Sequence, residues 1–229
     1  VGSLRNSLGV FADTYRYLKI SKNLEDHLEE LKVLWAKTLV NRMRIELEIV
    51  GRPSTENSVL FLGNHISYLD IPLMMSFVPR ISFVAKDELR GWPIIGEAAR
   101  KANTVFVKRE NGGSRRNARE AVLKALAKGN RIVIFPSGTT SLDESKPWRR
   151  GAFEIAAEAD CWVQPFRLSY NPLRSVAYID DDFFPVHVYK FFGLSKINAR
   201  IEFHEPVKVT EVIQDCERWQ EWCRQAVLI

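Results

Sequence analysis

The chain has 229 residues, of which 46% are hydrophobic and 27% charged, the make-up of a globular protein, and this excludes a long disordered, repetitive or low-complexity segment. No apolar run reaches the ~18 residues of a transmembrane helix, no signal peptide is legible, and since the chain opens on Val1 rather than Met an upstream segment is left open. The net charge of +5 is uneven: residues 80–150 hold 16 Lys/Arg against 7 Asp/Glu, and residues 151–229 hold 8 against 12, so a basic middle suited to phosphates on nucleic acid, an anionic membrane or a small ligand precedes an acidic tail.

Leu4, Leu8, Phe11, Tyr15 and Leu18 recur at steps of four and three, which predicts an amphipathic helix. Residues 19–23 interrupt the pattern, and Leu24, Leu28, Leu31, Trp35 and Leu39 begin a second stripe with Asn23 as its cap. The pair is either a hairpin packed on its own domain or a membrane-surface anchor using Phe11, Tyr15, Tyr17 and Trp35. From residue 43 the period changes to two and a strand runs to Gly51. Compact apolar runs follow at 59–62, 81–85, 104–107 and 131–135, separated by helical stretches at 70–78, 92–101 and 114–128, the last from a capping Ser114 to Gly129. A helix at 148–159, strands near 162–170, 175–179 and 197–203, and a helix at 210–227 complete the reading. This alternation predicts an α/β fold with a largely parallel or mixed central sheet and helices on both faces. No linker divides it, so the expected organisation is an N-terminal helical pair over 1–42 and one α/β domain over 43–229.

Three strand ends carry the residues capable of chemistry. The stretch "NHISYLD" places His65 just past a buried strand, where open α/β sheets bind ligands, and Asp70 at the next helix start. Each has a plain alternative: Asp70 as a helix cap, His65 as a satisfied loop histidine. "NTVFVKR" ends a second strand with Lys108 and Arg109, and "FPSGTTS" ends a third with Pro136, Gly138 and several hydroxyls. Strand ends of one parallel sheet share a rim, so these groups are expected to face one cleft. Arg115, Arg116, Arg119 and Lys124 fit the solvated face of a helix. The three cysteines, 161, 216 and 223, make no C-x-x-C pair, which argues against a disulfide framework or zinc site and for a reducing compartment.

These blocks resemble the glycerolipid acyltransferase family, the 1-acylglycerol-3-phosphate and glycerol-3-phosphate acyltransferases. The family's N-H-x-x-x-x-D block is matched by Asn64, His65 and Asp70. Its second block is matched by Val105, Phe106, Val107 and Arg109, with Asn103 in place of a glycine. Its F-P-E-G-T-R-S block is matched at Phe135, Pro136, Gly138, Thr139 and Ser141, and its proline-centred strand resembles "CWVQPFRL" with Pro165. "AKDEL" with Lys86 and "WRRGAFEIAAEA" with Arg150 resemble the connecting runs, so the likeness covers about residues 58–170. In two places the chain departs: Ser137 stands for the family's glutamate and Thr140 for its arginine, which the family associates with the acceptor's phosphate.

The resemblance implies transfer of an acyl chain from acyl-CoA or acyl-carrier protein to the free hydroxyl of a lysophospholipid. His65 would act as general base and Asp70 would orient its ring, with no covalent acyl-enzyme, metal or cofactor. Asn64, Lys86, Lys108, Arg109, Ser137, Gly138, Thr139, Thr140 and Arg150 are the expected substrate-binding residues, and backbone N–H groups near Gly138 or His65 the expected oxyanion donors. Neutral Thr140 also suits a different head group, as in enzymes acylating lyso-ornithine lipid. Peripheral attachment to the cytoplasmic face of a membrane, or anchoring by an upstream segment, is expected. A lipid-binding relative without strong activity is a second class of function. A nucleic-acid binder is a third, but no recognised module supports it.

Overall fold

In the computed structural model, which describes residues 2–92, 94–107, 112–179 and 182–227, helix α1 (Gly2–Ile20) and helix α2 (Leu28–Arg42) form an antiparallel pair ahead of an α/β body. Among the described residues a seven-stranded sheet follows: β1 (Ile45–Val50), β2 (Val59–Gly63), β3 (Ile81–Lys86), β4 (Val105–Val107), β5 (Arg131–Ile134), β6 (Trp162–Asn171) and β7 (Ile197–Phe203). Their spatial order is β1-β7-β6-β2-β5-β3-β4. All neighbours run parallel except β6 and β7, which pair antiparallel, so the sheet is mixed and predominantly parallel.

The unbroken apolar run of β2 is explained by its central position with both faces covered. Successive side chains point to opposite faces. Val59 and Phe61 join one core with Leu73 and Met74 of α3 (Asp70–Met75) and with α2 residues. Leu60 and Leu62 join another with Val122 and Leu126 of α5 (Gly112–Ala127), Phe153 of α6 (Gly151–Glu158) and Trp219 of α9 (Val212–Val227). Helices α4 (Ile95–Lys101), α7 (Leu173–Val176) and α8 (Phe184–Phe191) complete the described helices. Gly63 closes β2 where a Cβ would lie 2.4 Å from the Phe166 carbonyl oxygen, so only glycine fits beside β6.

Several expectations are corrected. Residues 173–176 form a short helix where a strand was expected over 175–179, because Pro172 opens a turn and the extended segment behind it bonds, among the described residues, to a helix and to loops: Ala177 N–H to the Leu173 carbonyl at 2.9 Å, Tyr178 N–H to the Ile66 carbonyl at 3.1 Å and Asp182 N–H to the Ile179 carbonyl at 3.0 Å. Asn23 does not cap α2: a 3₁₀ turn at Glu25–His27 intervenes, and His27 occupies the cap position. Helix α8 was not foreseen. Helix α1 is rotated from its apolar stripe. Thr14, Tyr17 and Leu18 are buried, with Tyr17 stacked on Trp35 at 5.6 Å, while Leu8, Phe11 and Tyr15 stay exposed, Tyr15 at 63%. An Arg42–Asp13 ion pair at 2.7 Å and the Trp35 Nε1–H bond to Thr14 Oγ1 at 3.1 Å hold that rotation. Among the described residues no helix is long and apolar enough to cross a membrane.

Candidate functional site

The loop from β2 to α3 turns tightly because one carboxylate organises it. Asp70, fully buried, accepts the His65 ring Nδ1 at 2.7 Å, the Ile66 N–H at 2.8 Å and the Ser67 N–H at 3.0 Å on Oδ2. Its Oδ1 accepts the Tyr170 hydroxyl at 2.7 Å. Asp70 is therefore the first helical residue of α3 with its side chain folded back on the preceding loop, and Leu69 holds the cap position without a side-chain bond. The carboxylate fixes the proton on Nδ1 and leaves Nε2 as the basic nitrogen. Among the described residues nothing hydrogen-bonds Nε2, and the ring, 18% exposed, stacks on Phe135 at 4.0 Å and 9°. Burial first, and then the Asp70 charge it serves, push the Tyr170 hydroxyl well above its ordinary pKa, so it remains a donor.

A second carboxylate stands beside this pair. Glu144, 1% exposed, accepts the His65 N–H at 3.3 Å on Oε1 and the Trp148 Nε1–H at 2.6 Å on Oε2. Its own N–H is capped by Ser141 Oγ at 3.1 Å, and the Ser141 N–H binds the His65 carbonyl at 2.8 Å. Burial raises the Glu144 pKa against the lowering pull of those two donors. Neither Tyr170 nor Glu144 was found from sequence. Both lie outside the motif positions, and only their arrival at Asp70 and His65 from β6 and from the loop after β5 identifies them.

The expected binding residues divide. Asn64 is buried, its Nδ2 donates to the Leu168 carbonyl at 2.9 Å and its Oδ1 accepts the Leu168 N–H at 2.7 Å, so its amide extends the β2–β6 ladder. Ser137 is also buried, and its hydroxyl donates within the turn to the Thr139 carbonyl at 2.8 Å. The Thr140 hydroxyl donates to the Tyr178 carbonyl, tying the loop to the segment behind α7. Gly138 takes φ +72°, the left-handed turn that favours glycine, and its N–H binds the Phe135 carbonyl at 3.0 Å. Thr139 is exposed. Lys86 ends β3, exposed on the same strand-end rim, and Arg150 caps α6 across the loop. Lys108 and Arg109 lie outside the described residues.

Two cavities flank the pair. One, about 240 Å³, is almost wholly apolar and runs between α1, α2, α4 and α8 to Tyr68 and Leu69 of the histidine loop and to Phe83. The other, about 640 Å³, opens between α5 and α6 and ends at Phe135, Pro136 and Gly138. His65 lines neither wall; Phe135, which lines the second cavity, stacks on the imidazole and on Phe83, which lines the first.

Comparison with known proteins bears on this geometry. The acyltransferase family model matches residues 44–169. The lyso-ornithine lipid O-acyltransferase of Pseudomonas aeruginosa is 32% identical over 178 residues, which cover 76% of this chain and 68% of that protein. The 1-acyl-sn-glycerol-3-phosphate acyltransferase of Neisseria meningitidis serogroup B is 31% identical over 162 residues, 67% of this chain and 63% of that protein. The crystal structure of the 1-acyl-sn-glycerophosphate acyltransferase PlsC from Thermotoga maritima superposes with a TM-score of 0.65 at 18% identity, covering 97% of this chain and 96% of that one, and so shares the fold.

Proposed function

The chain belongs to the acyltransferase family, and from that premise we propose that it moves an acyl chain from a thioester donor to the free hydroxyl of a lysolipid, with His65 as general base. The observation that carries this is the 2.7 Å contact between His65 Nδ1 and Asp70 Oδ2, with Nε2 left unbonded among the described residues. In this reading Nε2 takes the acceptor hydroxyl's proton as its oxygen attacks the thioester carbonyl, and Asp70 stabilises the imidazolium that forms. Collapse of the tetrahedral intermediate expels the thiolate, which recovers the proton. The His65, Ile66 and Ser67 N–H groups are already bonded to carboxylates, and Gly138 N–H to Phe135. The oxyanion donors then fall to the backbone N–H groups of Thr139 and Thr140, which bond to nothing among the described residues. The 240 Å³ apolar cavity suits an acyl chain.

Docking at a membrane surface is part of the same proposal. Leu8, Phe11, Tyr15 and Leu34 on the helical pair, and Phe183, Val186 and Tyr189 around α8, present exposed apolar side chains of the kind that enter a lipid interface. The cytoplasmic leaflet is the face that would attract the chain's basic middle.

Release of thiol from acyl-CoA, measured with and without a panel of lysolipids, tests the proposal. His65→Ala should lower turnover by ~10²–10⁴-fold, and equal turnover in variant and wild type would remove His65 from the mechanism. A second reading concerns the acceptor. With Thr140 neutral and its hydroxyl held by Tyr178, a zwitterionic lysolipid such as lyso-ornithine lipid fits better than lysophosphatidic acid, and the panel decides between them.

A further inference from the structure

The loop that carries His65 and Asp70 is held from two sides. On one side Asp70 gathers the Ile66 and Ser67 N–H groups onto its own carboxylate. On the other, the segment leading into α8 takes hold of the same stretch. The Tyr178 N–H binds the Ile66 carbonyl at 3.1 Å, and the Tyr68 hydroxyl meets His187 Nδ1 at 3.1 Å. His187 is anchored in turn by its other ring nitrogen, 2.8 Å from the Ala177 carbonyl. A carbonyl only accepts, so in the neutral ring Nε2 carries the proton, and Nδ1 is the acceptor that the Tyr68 O–H serves. Burial favours the neutral form of both groups: it lowers the His187 pKa and raises that of Tyr68.

Tyr68 stands between Ser67, whose N–H binds the acid, and Asp70 itself, so its direction sets that of the whole turn. Its ring packs edge-on against Phe184 and Phe191, with centroids 5.5 and 5.7 Å away. Such apolar contacts are non-directional and leave the ring free to slide; the hydrogen bond fixes it. Of α8, His187 and Phe191 are buried while Val186 and Tyr189 are exposed, so a surface helix reaches the loop through one buried polar side chain. We infer that His187 is a positioning residue for the proposed base: acting through Tyr68, it holds the His65–Asp70 loop in the geometry at which the acid meets the imidazole. The effect on turnover rests on the acyl-transfer reading; the effect on the loop does not.

Four variants of the full chain test this. Tyr68→Phe keeps the ring that lines the apolar cavity and removes only the donor. His187→Leu removes the acceptor, a double variant removes both, and His187→Gln retains one donor for Ala177 and one acceptor for Tyr68. Tyr68→Phe and His187→Leu should each lose ~10-fold in kcat with little change in either KM, because a base slightly out of place loses rate and not binding. The double variant should lose no more than the worse single one, since both break the same tie, and His187→Gln should recover most of the rate. The second measurement is the proton resonance of His65 Nδ1–H, identified by its absence in His65→Ala. It should exchange slowly with water in wild type and His187→Gln, and ~10-fold faster in Tyr68→Phe and His187→Leu, where the loop opens more readily. If His187→Leu does not fold, Tyr68→Phe and His187→Gln carry the test. Full kcat in Tyr68→Phe, additive losses, losses that fall on KM, a His187→Gln no better than His187→Leu, or an unchanged His65 resonance would each overturn the inference. The two layers separate cleanly. The expected change in resonance in a protein that acylates no lysolipid supports the tie and removes only the acyl-transfer reading. Turnover that needs His65 but ignores Tyr68 and His187 removes only the tie.

Discussion

The Tyr170 hydroxyl donates to Asp70 Oδ1 at 2.7 Å across a sequence separation of 100 residues. Strand β6 thereby holds the acid that aims the histidine of the β2–α3 loop. Asp70, itself fully buried, is held by four donors on its two oxygens.

Tyr170→Phe keeps the ring and removes the donor. The buried oxygen it leaves unpaired should cost about 1–3 kcal/mol of stability, and the less firmly held carboxylate should lower kcat with little change in KM. Urea unfolding and steady-state kinetics check this; unchanged midpoint and kcat would show that the hydroxyl is dispensable.

Glu144 makes a pH-dependent claim. Burial raises its pKa above the ordinary value of 4.5, so the native state keeps this proton longer than the unfolded chain does. The stability it contributes is present in full below pH 4.5 and is lost as the pH climbs through the raised value. Glu144→Gln should remove that slope, so unfolding free energies of wild type and variant, measured at rising pH, should converge or cross rather than run parallel. Because an amide oxygen can serve only one of the two donors from His65 and Trp148, the variant should also lose turnover.

Asn64→Ala separates a structural role from a substrate contact. It leaves the N–H and carbonyl of Leu168 unpaired in a dry interior, at about 1–3 kcal/mol each. The denaturation midpoint should fall while the lysolipid KM of the folded fraction holds. A raised KM at unchanged stability would return Asn64 to the binding site.

Membrane docking is tested by sedimentation with anionic liposomes. Each large apolar side chain placed in lipid is worth roughly 1.5–3 kcal/mol. Leu8→Ser/Phe11→Ser/Tyr15→Ser should therefore move most of the protein to the supernatant without unfolding it, since all three are exposed. Equal pelleting would assign those side chains no part in docking.

Much of this was legible because it is local. The continuous run at 59–62 signalled a strand covered on both faces, and β2 lies fourth of seven in the sheet. The spacing of His65 and Asp70 across a strand-to-helix turn marked the site, because the four residues between them return a carboxylate to the ring only if the chain turns there. The exposed face of α1 was not legible. Periodicity reports that a helix has an apolar side, but which side meets the protein depends on Tyr17 finding Trp35 and Asp13 finding Arg42.

The sequence by itself determined the order and kind of most elements, the rim that gathers the strand ends, and the imidazole with its acid, since these follow from short-range periodicity and turn chemistry. Only the tertiary structure decided which groups complete the site. It brought Tyr170 to Asp70 and Glu144 to His65, and set the side chains of Asn64 and Ser137 against backbone groups of Leu168 and Thr139. The cause is that a polar side chain's partner is set by the nearest unpaired donor or acceptor in the packed interior, and that neighbour can lie a hundred residues away along the chain.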